Sequence, residues 1–271
     1  MKFSIFITGS TDGIGKLAAI QLAQAGHQVF LHGRSKAKLD DAVTEVKALT
    51  KNNDVKGYLA DLSNFGDIRQ LTDKIKKDLP HLDVLINNAG VYNSPVNTNS
   101  DGLDLRFMVN YLAPVMLTRE LLPLLKKGTS ARIINLSSAA QSPVSPEALQ
   151  GTMKIAANTS YAQSKLALTM WSFDLANKLS DIAVMALNPG SLLNTRMVKE
   201  AYGHHWSPAE KGAEIIVQLA TTDTPATYHG KYYDNDQGRL NQAHADAYNA
   251  SKIKALLEVT EEILVNSEGN L

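Results

Sequence analysis

A short apolar run, Phe3 to Thr8, leads directly into Thr8-Gly9-Ser10-Thr11-Asp12-Gly13-Ile14-Gly15, and a helix-patterned segment, Lys16 to Ala25, follows. This succession limits the fold more than any other stretch. The apolar run reads as a buried strand, and the glycines let the chain turn tightly at its end. The helix then begins with unpaired main-chain N–H groups and the positive end of its dipole aimed at the turn. Strand, glycine turn and helix together form a nucleotide-binding unit in which the backbone can approach a pyrophosphate closely. Gly9, Ser10, Thr11, Gly13, Ile14 and Gly15 are the residues expected to face that group.

The same alternation continues. The next strand, Gln28 to Leu31, ends in His32-Gly33-Arg34-Ser35. A carboxylate near this point would bind the ribose 2′-hydroxyl of NAD, whereas an arginine accommodates the 2′-phosphate of NADP. The chain offers Arg34 beside Ser35, and no carboxylate before Asp40, so NADP(H) is expected over NAD(H). A helix over about 35–49 precedes the strand Val55 to Ala60, after which Asp61 and Leu62 follow. Asp61 to Asn64 can also cap the next helix. Further strands, Asp83 to Ile86, Arg132 to Leu136, Ile182 to Leu187 and Lys231 to Tyr233, end or continue in Asn87-Asn88-Ala89-Gly90, Ser137-Ser138 and Asn188-Pro189-Gly190. Alternating strands and helices of this kind imply an α/β Rossmann-type, doubly wound, mostly parallel sheet with helices on both faces. With no repeats or linkers, residues 1–271 read as a single domain. Ligands of such sheets lie outside the strand carboxyl ends, where these polar runs fall.

Composition narrows the function by exclusion. Formal net charge is +0 with no basic block, which points away from nucleic acid and anionic membranes. Cysteine is absent, so disulfides and thiolate chemistry are excluded. No apolar run approaches the ~18 residues of a membrane span, and a cytoplasmic protein is the default. His204 and His205 are adjacent and lack an acidic cluster, so no metal site is expected.

Tyr161-Ala-Gln-Ser-Lys165 opens a segment with apolar residues at helical spacing. Tyrosine and lysine four apart share one helix face. A phenol titrates near ~10 in water, and a neighbouring ammonium favours the phenolate. The pair is thus suited to proton transfer. Upstream, Leu103 to Lys127 reads as one long helix. Pro114 within it removes the amide that would bond the Asn110 carbonyl.

Several of these runs together resemble the short-chain dehydrogenase/reductase family. They are the G-x-x-x-G-x-G spacing of Gly9, Gly13 and Gly15, the Asn87-Asn88-Ala89-Gly90 run and Tyr161-x-x-x-Lys165. The resemblance covers most of the chain and is nearest to the retinol-dehydrogenase-like branch, without its hydrophobic N-terminal anchor. It implies a seven-stranded sheet in the order 3-2-1-4-5-6-7 and NAD(P)-dependent interconversion of a ketone or aldehyde with an alcohol. Tyr161 then serves as general acid/base, with Ser138 on the reacting oxygen. Lys165 acts on the Tyr161 pKa and the nicotinamide ribose, and the Asn110 carbonyl holds a relay water. Asp61 and Leu62 approach the adenine, Asn88, Ala89 and Gly90 pack on the cofactor, and Pro189 and Gly190 precede a threonine that contacts the nicotinamide. Thr195 is one position later than the usual spacing, so Asn194 stays open for that role. The family's pairing through the helices of Asn110 and Tyr161 leaves a homodimer or homotetramer open.

Ser138 and Tyr161 are separated by 23 positions, so the segment about 139–160 carries extra residues. With 191–207 it is expected to wall a small-molecule cleft. Leu149, Met153, Ile155, Leu192, Leu193, Met197, Tyr202 and Trp206 suggest a hydrophobic carbonyl or alcohol substrate. Two other readings are a non-catalytic NADP-binding redox sensor and a sugar-nucleotide epimerase or dehydratase. The sensor has no need of the Ser-Tyr-Lys set, and the epimerase usually has a different glycine spacing and a larger C-terminal region.

Overall fold

A computed structural model of the protein describes residues 1–269; the side chains of Tyr202 and Glu268 lie outside that description. The first half alternates strand and helix: β1 Ser4–Ile7, α1 Gly13–Gln24, β2 Gln28–Gly33, α2 Lys36–Thr50, β3 Val55–Leu59, α3 Phe65–Asp78 and β4 Val84–Asn87. The second half is less regular. It runs α4 Leu105–Phe107, a π-helical turn Met108–Leu112, α5 Ala113–Leu125, β5 Arg132–Leu136, α6 Pro146–Leu149, α7 Ala157–Lys178 and β6 Ala183–Asn188. After it come α8 Arg196–Tyr202, α9 Ala209–Thr221, β7 Lys231–Asp234, β8 Arg239–Asn241 and α10 Ala250–Gly269.

The strands form one sheet in the order β3-β2-β1-β4-β5-β6-β7-β8. Every neighbouring pair is parallel except β7 and β8, which pair antiparallel with Tyr232 opposite Asn241. The seven-strand expectation is therefore corrected to eight. The added strand, Arg-Leu-Asn, has no apolar run of its own and exists because the turn at 235–238 folds it back onto β7. Both sheet faces are covered, so the central strands are apolar on both sides. Phe6, Leu85, Ile133 and Val184 pack with α3, α5, α7 and α10. Ile5, Ile7, Ile86, Ile134 and Leu187 pack with α1, α2 and α9.

One local expectation is revised. The long helix over 103–127 is broken in register: the Ala113 N–H bonds the Met108 carbonyl, five residues back. Pro114 follows immediately and has no N–H to restore the α register, which explains why the widened turn sits at Asn110. Ser207 pairs with Leu193 in an isolated parallel bridge, and Pro208 takes the cap position of α9. Among the described residues, no helix is long and apolar enough to cross a membrane.

Candidate active site

The carboxyl ends of β1, β2, β4 and β6 open onto a cleft of about 340 Å³. Its floor is the glycine turn. Gly9 has a φ of 61° and Gly13 one of 55°, a region that favours glycine. A Cβ on Gly9 would lie 2.8 Å from Ala89 Cα, and one on Gly15 would lie 2.4 Å from Asn88 Nδ2. The turn therefore packs directly on Asn88 and Ala89. Asn88 Nδ2 donates to the carbonyls of Thr8 at 2.8 Å and Gly9 at 2.9 Å. Thr8 Oγ1 accepts from the N–H groups of Asn88 and Ala89. A parallel link runs deeper, from Asn87 Nδ2 to Asn135 Oδ1 at 2.8 Å and from Asn135 Nδ2 to Ser172 Oγ at 2.8 Å.

Of the residues expected on this side, Gly9, Thr11, Gly13, Ile14, Gly15, Arg34, Asp61, Leu62, Asn88, Ala89 and Gly90 all line the cleft. Ser10 does not. It is buried, and its hydroxyl donates to the Ile7 carbonyl and accepts from His32 N–H. Ser35 is also off the wall, at the cap position of α2. Asp12 is occupied locally, accepting from Gly13 N–H at 2.7 Å. The Asp61 carboxylate accepts from both the N–H and the hydroxyl of Ser63.

On the opposite side, Pro189, Gly190 and Thr195 reach the wall. Thr195 Cγ2 would sit 3.7 Å from a Cβ at Gly13, and its hydroxyl caps α8 by accepting from Val198 N–H at 3.3 Å. Asn194 is exposed and off the wall. The Pro-Gly turn is held from behind by residues that sequence reasoning did not single out. Asp236 accepts from Ser191 N–H at 2.8 Å and from Asn188 Nδ2 at 2.9 Å. Asp234 accepts from the same Asn188 amide at 2.9 Å, and Asn235 Nδ2 donates to the Pro189 carbonyl at 2.9 Å. The run Asp234-Asn235-Asp236 was visible as turn chemistry, but nothing local pointed it at β6.

Tyr161 stands on the cleft wall, and Lys165 lies one helical turn on, buried, with Nζ 5.6 Å from the Tyr161 ring centroid. Lys165 Nζ donates to the Leu136 carbonyl at 2.6 Å, and burial lowers its pKa to about 8. The Tyr161 pKa is raised, chiefly by burial. Hydrogen bonding with the Ser138 side chain opposes this, and the Tyr92 phenol adds to it. The Ser138 side chain is thus the group that favours the Tyr161 phenolate. The Lys165 ammonium is directed at a carbonyl behind the wall. Ser138 Oγ itself accepts from Ala140 N–H at 3.1 Å, which leaves its own proton free for donation.

Asn110 ties three segments together. Its Oδ1 accepts from Val91 N–H at 2.7 Å, and its Nδ2 donates to the Val91 carbonyl and to Ser164 Oγ, both at 3.0 Å. A Cβ at Gly90 would meet Asn110 Oδ1 at 3.6 Å, Met197 Cε at 3.6 Å and Lys165 Nζ at 3.7 Å. Asn110, Gly90, Lys165 and Met197 thus converge at one point beside Tyr161.

The apolar wall divides differently from expectation. Leu193 and Met197 line the cleft, joined by Val91 and Val109, which the sequence reading did not select. Leu149 is buried in a separate apolar groove against α10. Met153 is 43% exposed and Trp206 75% exposed, and neither lines the cleft. The Tyr202 side chain lies outside the described residues.

The doubly wound sheet, the glycine turn at its first strand end and the Tyr-Lys pair across the cleft define a dinucleotide-dependent oxidoreductase. A family model described as short chain dehydrogenase matches residues 4–205. The chain is 37% identical over 251 residues to retinol dehydrogenase 13 of Mus musculus, covering 85% of this chain and 75% of that protein. It is 33% identical over 251 residues to retinol dehydrogenase 13 of Homo sapiens, covering 85% and 76%. Among solved structures, a short-chain dehydrogenase of Escherichia coli CFT073 complexed with NADPH superposes with a TM-score of 0.71 at 27% identity, over 86% of this chain and 96% of that one. Pseudomonas aeruginosa RhlG in its NADP active-site complex gives 0.69 at 27% identity, over 86% and 95%. The chain belongs to the short-chain dehydrogenase family and is an NAD(P)-dependent oxidoreductase.

Proposed function

We propose that the protein interconverts a hydrophobic ketone or aldehyde with its alcohol, using NADP(H). The observation that carries this reading is the placement of Tyr161 on the cleft wall, where the Ser138 side chain favours its ionised form, one turn from buried Lys165. The glycine turn supports a dinucleotide, since Gly9, Gly13 and Gly15 line the cleft without side chains, with Gly90 beside Asn110 and Lys165. The bound nicotinamide supplies or accepts the hydride.

In the reductive direction, Tyr161 donates its hydroxyl proton to the carbonyl oxygen as negative charge develops there. Ser138, its oxygen already accepting from Ala140 N–H, directs its proton to the same oxygen and stabilises that charge. Lys165 is assigned to the nicotinamide ribose and to returning a proton toward Tyr161. Asn110 is assigned to the relay through its main-chain carbonyl, because its side-chain amide is already engaged. Arg34, exposed at the cleft rim, supports the 2′-phosphate and so NADP(H), as do the NADP(H) complexes of the two structural neighbours. Val91, Val109, Leu193 and Met197 on the wall support an apolar substrate, consistent with relatives named for retinol.

Assembly through α5 and α7 meets an obstacle in α10. Tyr111 and Thr260 share a hydroxyl–hydroxyl bond of 2.7 Å, and Arg119 pairs with Glu261. These contacts place α10 across the helix that carries Pro114. A homodimer or homotetramer would therefore use other faces, which sedimentation of wild type and of a variant truncated before α10 can check.

The experiment for the proposed chemistry is NADPH oxidation across aldehydes, ketones, steroids and quinones with wild type and Tyr161→Phe. The variant should bind NADPH normally and lose turnover by at least about 100-fold, the low end for general acid–base catalysis. Near-normal turnover would remove Tyr161 from the mechanism. A panel in which only sugar or phosphorylated compounds react would overturn the apolar-substrate reading.

A further inference from the structure

Three hydrogen bonds tie the glycine turn to one residue of β2. The His32 carbonyl accepts from Ser10 N–H at 2.9 Å, and His32 N–H donates to Ser10 Oγ at 2.9 Å. Gly9 N–H donates to His32 Nδ1 at 3.0 Å. On the far side of the ring, Nε2 lies 3.2 Å from the Ala60 carbonyl. A carbonyl only accepts and an amide N–H only donates, so the ring proton resides on Nε2 and Nδ1 is bare. The imidazole is fully engaged as a neutral group, buried yet bordering the cleft.

We propose that His32 is a positioning residue for cofactor binding, its Nε2–H imidazole holding Gly9 so that the turn presents its main-chain N–H groups to the pyrophosphate. This rests on the dinucleotide reading of the cleft. Glycine at position 9 allows the close approach to Ala89 but also frees the peptide to rotate. An acceptor fixed on a neighbouring strand removes that freedom before the ligand arrives. The ring is itself anchored across three strands, since Phe6 of β1 presents an edge-on contact at 6.3 Å and Ala60 follows β3. Asp61, next to Ala60, is the charged group that favours protonation of the ring, and exposed Arg34 lies two residues further along its own chain. Burial outweighs Asp61 and keeps the imidazole neutral at physiological pH.

The test compares NADPH, which carries the pyrophosphate, with adenosine 2′-monophosphate, which does not. His32→Phe keeps a ring but loses both polar atoms; His32→Gln keeps a donor and an acceptor. At neutral pH, His32→Phe should weaken NADPH by about tenfold, the equivalent of one hydrogen bond, and leave adenosine 2′-monophosphate unchanged. His32→Gln should recover part of the loss. Unchanged NADPH affinity in His32→Phe overturns the proposal, and so does an equal loss for both ligands, which would signal general disruption of the site. If phenylalanine prevents folding, nitrogen NMR of the wild-type ring decides: an Nδ1–H or charged imidazole at neutral pH overturns the assignment, and an Nε2–H ring supports it. Failure of wild type to bind any dinucleotide would sink the cofactor reading itself, and is distinguishable from all of these.

Discussion

The Tyr232 hydroxyl donates to the main-chain carbonyl of Ser138 at 3.1 Å, joining β7 to the end of β5 across 94 positions of sequence. Gln141 Nε2 donates to the same carbonyl at 2.9 Å, and Gln141 Oε1 in turn accepts from His244 N–H. The C-terminal segment thus holds the peptide that carries the Ser138 hydroxyl. Tyr232→Phe should lower turnover by about 3- to 10-fold, the size of one net hydrogen bond, while NADPH affinity stays unchanged. Parallel measurement of kcat and cofactor Kd checks this. An unaltered kcat would show that Gln141 alone suffices.

Arg34 is exposed on the cleft rim with no carboxylate on the same strand end, and the proposed NADP(H) preference rests on it. Arg34→Asp should remove a charge-assisted contact and introduce repulsion, turning the preference from NADP toward NAD. Steady-state titration with both cofactors reads the ratio. If the unmodified protein favours NAD, Arg34 is a solvated surface residue.

Pro114 sits just after the π-helical turn that contains Asn110. Pro114→Ala supplies the missing amide and lets the helix return to α register over the Asn110 carbonyl. Thermal stability should hold or rise, because alanine suits a helix better than proline. Turnover should fall, since the carbonyl assigned to the relay would be taken. Both quantities must be read on one preparation. A variant equally stable and equally active would make the proline incidental to the relay.

His32 is held down at about 4 by burial, against an ordinary histidine value of 6.5. The unfolded chain therefore binds a proton between those values that the folded chain refuses, so stability rises with pH across this window. Its contribution is fully present above about 6.5 and is lost as pH falls toward 4. The total amounts to about 3 kcal/mol at most. Urea unfolding of wild type and His32→Phe between pH 4 and 7 isolates it. Identical pH slopes in the two proteins would contradict the neutral-ring assignment.

Short-range pattern was enough to place most of the residues that line the cleft. The glycine spacing at 9, 13 and 15 is meaningful by itself, because the positive φ of Gly9 and Gly13 and the packing of Gly15 leave few other residues possible. Tyr161 and Lys165 share a helix face for a reason of period alone, and the alternation of apolar strands with amphipathic helices dictates a doubly wound sheet. Ser10 shows the limit of that reasoning: it occupies a motif position, yet its hydroxyl turns inward to His32 and Ile7.

What sequence left open depended on partners distant along the chain. Where the Lys165 ammonium finds its acceptor, at the Leu136 carbonyl on β5, depended on how α7 packs against the sheet. The neutral form of His32 follows from the simultaneous approach of Gly9 and Ala60, brought together from two other strands. The clamp of Asp234 and Asp236 on the Asn188 turn needs the β7–β8 hairpin beside β6, and β8 itself exists only through pairing. Local propensity specifies which residues turn, coil or extend. Which buried polar group meets which is determined only when packing removes water, because each must then find a partner inside the fold.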